Sequence, residues 1–188
     1  DKIQILSSIK ANELSYENKL EILNLFFLAN YENLIAKYPR YLELYNQSKD
    51  TELAINNFKE NDWLDLQVWY NLVWFGYFSS RTDIAKRLIA KGKDFTEFEK
   101  QTLQNKQIDI LRQISYQYRK LYELGQIELS SSPMFHPIMP LLIDSKASLE
   151  SRPNQKLPEP IFQFPEDAEF QLNTGIDYFK KVFSHTPK

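Results

Sequence analysis

The run from Gly125 to Leu142, Gly-Gln-Ile-Glu-Leu-Ser-Ser-Ser-Pro-Met-Phe-His-Pro-Ile-Met-Pro-Leu-Leu, constrains this chain most, because a long helical pattern stops there. Gly125 suits the left-handed residue that follows a helix. Beyond it Ile127 and Leu129 point one way and Glu128 and Ser130 the other, which predicts a strand. Pro133, Pro137 and Pro140 forbid a following helix and push the residue before each toward extended geometry. His136, between Phe135 and Pro137, is therefore expected on a stiff loop at the end of that strand, suited to a sugar or an anion.

Upstream of this run the pattern is helical with polar breaks. Leu20, Leu23 and Phe27 recur at helical spacing between Tyr16 and Ala29, and Pro39 opens a short helix through Tyr45. Asn61 or Asp62 can cap a helix from Trp63 to about Tyr77, with Leu66, Trp69, Tyr70 and Val73 as its apolar stripe. Gly92 ends the next helix. Thr96 and Glu99 have the spacing of a capping box, which starts a helix running to Glu123. Downstream, Asp144 or Ser145 is a cap for a short helix to Glu150. Pro153, Pro158 and Pro160 punctuate an extended connection, and Pro165-Glu166-Asp167 is a favourable first turn for a last helix carrying Leu172, Ile176, Phe179 and Phe183. The fold class is mainly α with few short strands, divided into a helical region over 1–123 and a strand, proline loop and helix over 124–188.

At 188 residues, 43% of them hydrophobic, the chain is long enough to bury a core. A net charge of −2 with interspersed signs gives no basic stripe, so nucleic acid is not an expected partner. The absence of cysteine excludes disulfides, thiolate catalysis and cysteine-ligated zinc, and two histidines are too few for a histidine-only metal site. No cofactor is implied. No apolar run approaches the ~20 residues of a spanning helix, so no membrane is expected. The compartment is unknown from the sequence, with the cytoplasm favoured over others. Phosphate loops, nucleophile elbows and HExxH are absent, which removes several enzyme classes.

Glu128 is the leading candidate acid, read either as a solvent-facing strand glutamate or as a residue held for binding. His136 is either a satisfied structural histidine or a ligand, and Asp144 reads as a cap. Trp63, Trp69 and Trp74 share one helical segment; Trp69 lies on the apolar stripe and Trp74 faces elsewhere, with core packing the simplest account of most of them. Two carboxylates able to cleave a glycosidic bond with retention sit about 5–5.5 Å apart. The sequence nominates no such pair.

The residues from Gly125 to Leu142 resemble the Gly-Gln-Ile-Glu and Tyr-His-Pro-Ile-Leu-Pro-Leu-Leu signature of glycoside hydrolase family 57. Leu66-Gln67-Val68-Trp69-Tyr70-Asn71-Leu72-Val73-Trp74-Phe75 is similar to the family's helix ending Asn-Leu-Ala-Trp-Phe, and Phe26-Phe27-Leu28-Ala29-Asn30-Tyr31 resembles an upstream helix. Phe164-Pro165-Glu166-Asp167-Ala168 followed by Gln171 matches a pattern that precedes the nucleophile strand. The chain departs from the family at Met134-Phe135, where two aromatics are usual, and at Gly76-Tyr77, which replaces Asp-Pro.

The resemblance implies a retaining enzyme of the amylase and amylopullulanase kind, acting on α-glucans and built on an incomplete (β/α)7 barrel with a helical region. It implies that the nucleophile glutamate and acid/base aspartate lie beyond Lys188 and a His-Gln-Pro motif lies before Asp1, so that none of the catalytic carboxylates is in this chain. By position, Glu128, His136 and Phe135 would line the sugar site and Trp69 or Trp74 would border the glucan. Glucan transfer or branching is the alternative within the family, and a non-catalytic helical module binding a protein partner is the alternative outside it. A barrel segment alone would expose strand edges, from which self-association is expected.

Overall fold

The computed structural model describes residues 2–187. Its chain divides into two compact units, residues up to Leu111 and residues from Arg112 onward, and the division falls inside one long helix.

The first unit is built from α1 (Lys2–Ser8), α2 (Tyr16–Leu25), α3 (Pro39–Gln47), α4 (Thr51–Asn57), α5 (Glu60–Val73), α6 (Asp83–Lys91) and the first half of α7 (Glu97–Glu123). At its centre lies α5, in which every residue from Trp63 to Val73 is buried. The amphipathic stripe expected for this helix is therefore corrected: a helix that is apolar nearly all round is wrapped on every side. Its three buried polar residues are each tied by hydrogen bonds. Asp65 accepts from Arg40 Nε at 2.8 Å and from the Phe95 N–H at 3.1 Å. Gln67 donates to the carbonyls of Leu6 and Ile9 at 2.8 and 3.0 Å and accepts from Lys100 Nζ at 2.9 Å. Asn71 donates to Ser7 Oγ at 3.0 Å and to the Gln67 carbonyl at 2.8 Å. Unpaired buried polar groups are expensive, so these contacts fix how α1, α3 and α7 meet α5.

Helix starts follow local chemistry. The Lys59 N–H donates to Asp62 Oδ2 at 2.7 Å, so α5 begins at Glu60, slightly before the position expected from Asn61 or Asp62. Thr96 and Glu99 form the reciprocal capping box at the start of α7, with Thr96 N–H to Glu99 Oε2 at 2.8 Å and Glu99 N–H to Thr96 Oγ1 at 3.2 Å. Gly92, at φ 76°, closes α6 in the left-handed region. Two helices stop earlier than periodicity predicts. α2 ends at Leu25, and the Tyr41 hydroxyl donates to the freed Phe26 carbonyl. α5 ends at Val73, three residues before Gly76.

The second unit begins with the other half of α7. Its end is a Schellman turn: the Gln126 N–H donates to the Leu121 carbonyl at 3.0 Å and the Gly125 N–H to the Tyr122 carbonyl at 2.9 Å, with Gly125 at φ 67°. The strand expected over Gln126–Ser130 does not form, and no strand is present among the described residues. Ile127 and Leu129 are half-buried and Glu128 and Ser130 exposed, so the alternation is real. A strand needs a neighbour to pair with, and the described residues supply none. The self-association expected from strand edges therefore has no paired strand behind it among the described residues.

Pro140 does not forbid a helix as expected. It sits in the first turn of a short helix, α8 (Met139–Ile143), where a missing N–H costs nothing. Asp144 caps the 3-10 turn Ser145–Glu150 by accepting from the Lys146 N–H at 2.8 Å. After the proline-punctuated connection, α9 (Pro165–Phe183) packs against α8.

Candidate functional site

The residues singled out from sequence fall in two places, one in each unit. In the second unit the loop Ser132–Ile138 is braced on α9. The carbonyl of Gln171 accepts from the Met134 N–H at 3.0 Å, and its side-chain Oε1 accepts from the Phe135 N–H at 2.8 Å. Gly175 brings the helix so close that a Cβ there would lie 2.6 Å from the Ser132 carbonyl oxygen. The His136 N–H donates to the Pro133 carbonyl at 3.0 Å, and His136 itself has φ 54°, a left-handed conformation uncommon for a residue with a side chain.

This bracing turns Phe135 outward, 74% exposed, with His136 exposed beside it. Glu128 is exposed on the extended segment leading into the same loop. The loop thus presents a flat apolar ring, an imidazole able to donate and accept, and a carboxylate. Below it, the Lys146 N–H and then the Gln163 amide hold the Asp144 carboxyl below the usual carboxylate range. Asp144 is engaged as a cap and tether, not as a reacting acid. The tether runs on through the Phe164 N–H to Leu142 carbonyl bond at 2.9 Å and the Ser145 N–H to Phe162 carbonyl bond at 2.9 Å.

Trp69 and Trp74 belong to the first unit, and the structure separates their roles. Trp69 is 1% exposed, its ring lies 4.6 Å from Tyr38 and 6.0 Å from Phe95, and its Nε1 donates to the Gly92 carbonyl at 2.9 Å. Protein rings and the Gly92 carbonyl thus occupy the surroundings of Trp69. Trp74 is 55% exposed and meets Tyr70 edge to face at 6.5 Å.

Trp74 borders a cavity of about 860 Å³ that lies wholly within the first unit, between α1, the end of α5 and α7. Asn71, Gln104 and Gln107 also line it. Gln104 Nε2 donates to the Ser7 carbonyl at 2.7 Å and Gln107 Nε2 to the Asn71 carbonyl at 3.2 Å. The sequence held one signal for these positions: Gln67 and Asn71 are polar residues one turn apart in a helix otherwise dense with aromatic and aliphatic side chains.

The buried charges of the first unit are engaged with one another. Arg40 bridges Glu43, Asp62 and Asp65, with Nη2 to Asp62 Oδ1 at 2.5 Å and Nη1 to Glu43 Oε2 at 2.9 Å. Burial pushes the Asp65 carboxyl up, against the pull of the Phe95 N–H and the Arg40 guanidinium. Burial likewise pushes the Lys100 ammonium down, opposed by Glu97 at 2.9 Å. These groups join helices to one another. Among the described residues no group of three or more His, Asp or Glu side chains is arranged to hold a metal ion, and no helix is long and apolar enough to cross a membrane.

Comparison with curated proteins and with solved structures gives no match. The family model described as Glycosyl hydrolase family 57 matches residues 3–188, nearly the whole chain and including the run from Gly125 to Leu142. The chain therefore belongs to glycosyl hydrolase family 57.

Proposed function

We propose that this chain is the helix-rich part of a retaining glycoside hydrolase acting on α-glucans of the starch, glycogen and maltooligosaccharide type. In this reading it supplies sugar-contacting residues, and the two catalytic carboxylates come from sequence outside residues 1–188. Family membership over residues 3–188 carries the reading, because the family is one of glycoside hydrolases acting on α-glucans. The braced loop supports it locally. Phe135 offers a ring face to the apolar side of a pyranose, and His136 and Glu128 offer hydrogen-bonding groups to its hydroxyls.

The chemistry assigns the nucleophile glutamate to attack at the anomeric carbon while the acid aspartate protonates the leaving oxygen; water then releases the glycosyl-enzyme, with the aspartate now acting as base. Glu128 and His136 hold the sugar in a reactive pose, a contribution of orientation. The parent fold in this proposal is an incomplete (β/α)7 barrel, in which Gln126–Ser130 would gain the strand neighbours it lacks here. A second reading, a helical module binding a protein partner, is favoured by the exposure of Trp74, Tyr77 and Phe78 together after α5.

The test uses the product of the uninterrupted gene, incubated with maltohexaose and amylopectin while product sizes are followed. Release of shorter oligosaccharides is expected, and Glu128→Gln should lower turnover by about ten-fold or more, of the order of one lost charge-assisted hydrogen bond, at an unchanged melting temperature. Products longer or more branched than the substrate would move the activity to transfer. No turnover by a folded protein would favour the interaction module.

A further inference from the structure

The cavity in the first unit has a chemistry that its structural role does not explain. Gln67 has its amide donors and its carbonyl engaged within the fold. Asn71, one turn further along α5, does not. Its Nδ2 is committed to Ser7 Oγ and the Gln67 carbonyl, which fixes the orientation of the amide, and Oδ1 accepts from no group among the described residues. Asn71 is only 9% exposed, so this is a nearly buried acceptor at a cavity wall. Gln104 and Gln107 repeat the arrangement: each donates its Nε2 to a backbone carbonyl and keeps Oε1 without a donor among the described residues.

Three amide side chains whose donors are committed to the fold, and whose oxygens accept from no group among the described residues, therefore line one cavity, with the exposed Trp74 also in its wall beside Ile5 and Leu111. An occupant must supply several hydrogen-bond donors and also an apolar face. Among the described residues no Asp, Glu, Lys or Arg lines the cavity, so a phosphate, carboxylate or ammonium group would find no counter-charge among them. A sugar satisfies both demands, with hydroxyls for the amide oxygens and a C–H face for the indole. The volume of about 860 Å³ falls within the range of small-molecule sites, ~300–1,000 Å³.

We infer that this cavity is a binding site for a neutral oligosaccharide, held by Asn71, Gln104 and Gln107 as acceptors and by stacking on Trp74. The choice of an α-glucan as its natural occupant rests on the function proposed above; the demand for a neutral, hydroxyl-rich ring does not.

The experiment titrates the full chain with maltohexaose and, separately, cellohexaose, following tryptophan emission and heat of binding. Trp74 lines the cavity and Trp63 and Trp69 do not, so a change in emission on binding reports chiefly on Trp74. Saturable binding is expected, weakened by about ten-fold in Trp74→Ala and roughly three-fold or more in Gln107→Met. Both variants alter side chains outside the buried core, and each should remain folded with a cooperative melting transition. Maltohexaose binding that neither substitution changes would overturn the site and leave the α-glucan reading standing. Cellohexaose binding with that sensitivity, and no maltohexaose binding, would support the site and contradict the α-glucan reading. No binding of either sugar would overturn the site.

Discussion

A missing methyl group sets the distance between the candidate loop and the helix that braces it. At Gly175 a Cβ would stand 2.6 Å from the Ser132 carbonyl, and the obstacle is backbone, which cannot swing aside as a side chain can. Alanine is the better helix former by ~0.5–1 kcal/mol, but overpacking of this kind costs typically ~1–3 kcal/mol. Gly175→Ala should therefore lower the denaturation midpoint; an unchanged or raised midpoint would mean that the loop is not seated as described. Trp69 in α5 and Trp74 just past its end give a matched comparison. Trp69→Ala should cost about 3–5 kcal/mol of stability, as large aromatic truncations in cores do, and Trp74→Ala under about 1 kcal/mol, as an exposed substitution does. Chemical denaturation of the pair measures both. Helical spacing put Trp69 on the apolar stripe and Trp74 elsewhere, as their burial bears out, but the partners that enclose Trp69, namely Tyr38, Phe95 and Gly92, are remote in sequence and no local pattern connects them.

Helix boundaries are where sequence and structure agree best, because their causes are local. The capping box at Thr96 and Glu99, the left-handed Gly92 and Gly125 and the Pro165 first turn act within a few residues of themselves. The expected strand at Gln126–Ser130 depends on a partner elsewhere, and its alternation survives here without a ladder. The α7 start also carries a pH dependence. Burial pushes the Glu99 carboxyl up, but the Lys91 ammonium at 2.6 Å and the Thr96 N–H and hydroxyl together bring it below the ordinary value. A folded pKa below the unfolded one means that the stabilisation is complete above about pH 4.3 and fades as the pH falls through the lower folded value. Glu99→Gln can still act as the third residue of a capping box, so it isolates the charge. Denaturation should find the variant about 0.5–1 kcal/mol less stable at pH 7, with the difference shrinking toward zero in acid. A difference independent of pH would contradict the ion pair's role.

For the whole molecule, the exposed connection from Ser151 to Phe164 is the segment least protected by packing. Lys156 lies in it on an irregular stretch, and Arg152 precedes a proline that blocks tryptic cleavage. Limited trypsin digestion should therefore cut first after Lys156, ahead of sites within α7 such as Arg112. An earlier cut inside α7 would mean that this helix is not continuous across the two units. The candidate site was legible as composition, since Glu128, Phe135 and His136 were visible from the proline run. The amide cluster at Asn71, Gln104 and Gln107 was not, because its members meet only when α5 and α7 pack. The central claim, that this family 57 chain serves a retaining α-glucan hydrolase, is tested most directly by the anomeric proton signals during maltohexaose cleavage by the uninterrupted gene product. The account predicts that α-anomers appear first and mutarotate slowly to the equilibrium mixture; first-formed β-anomers would contradict it.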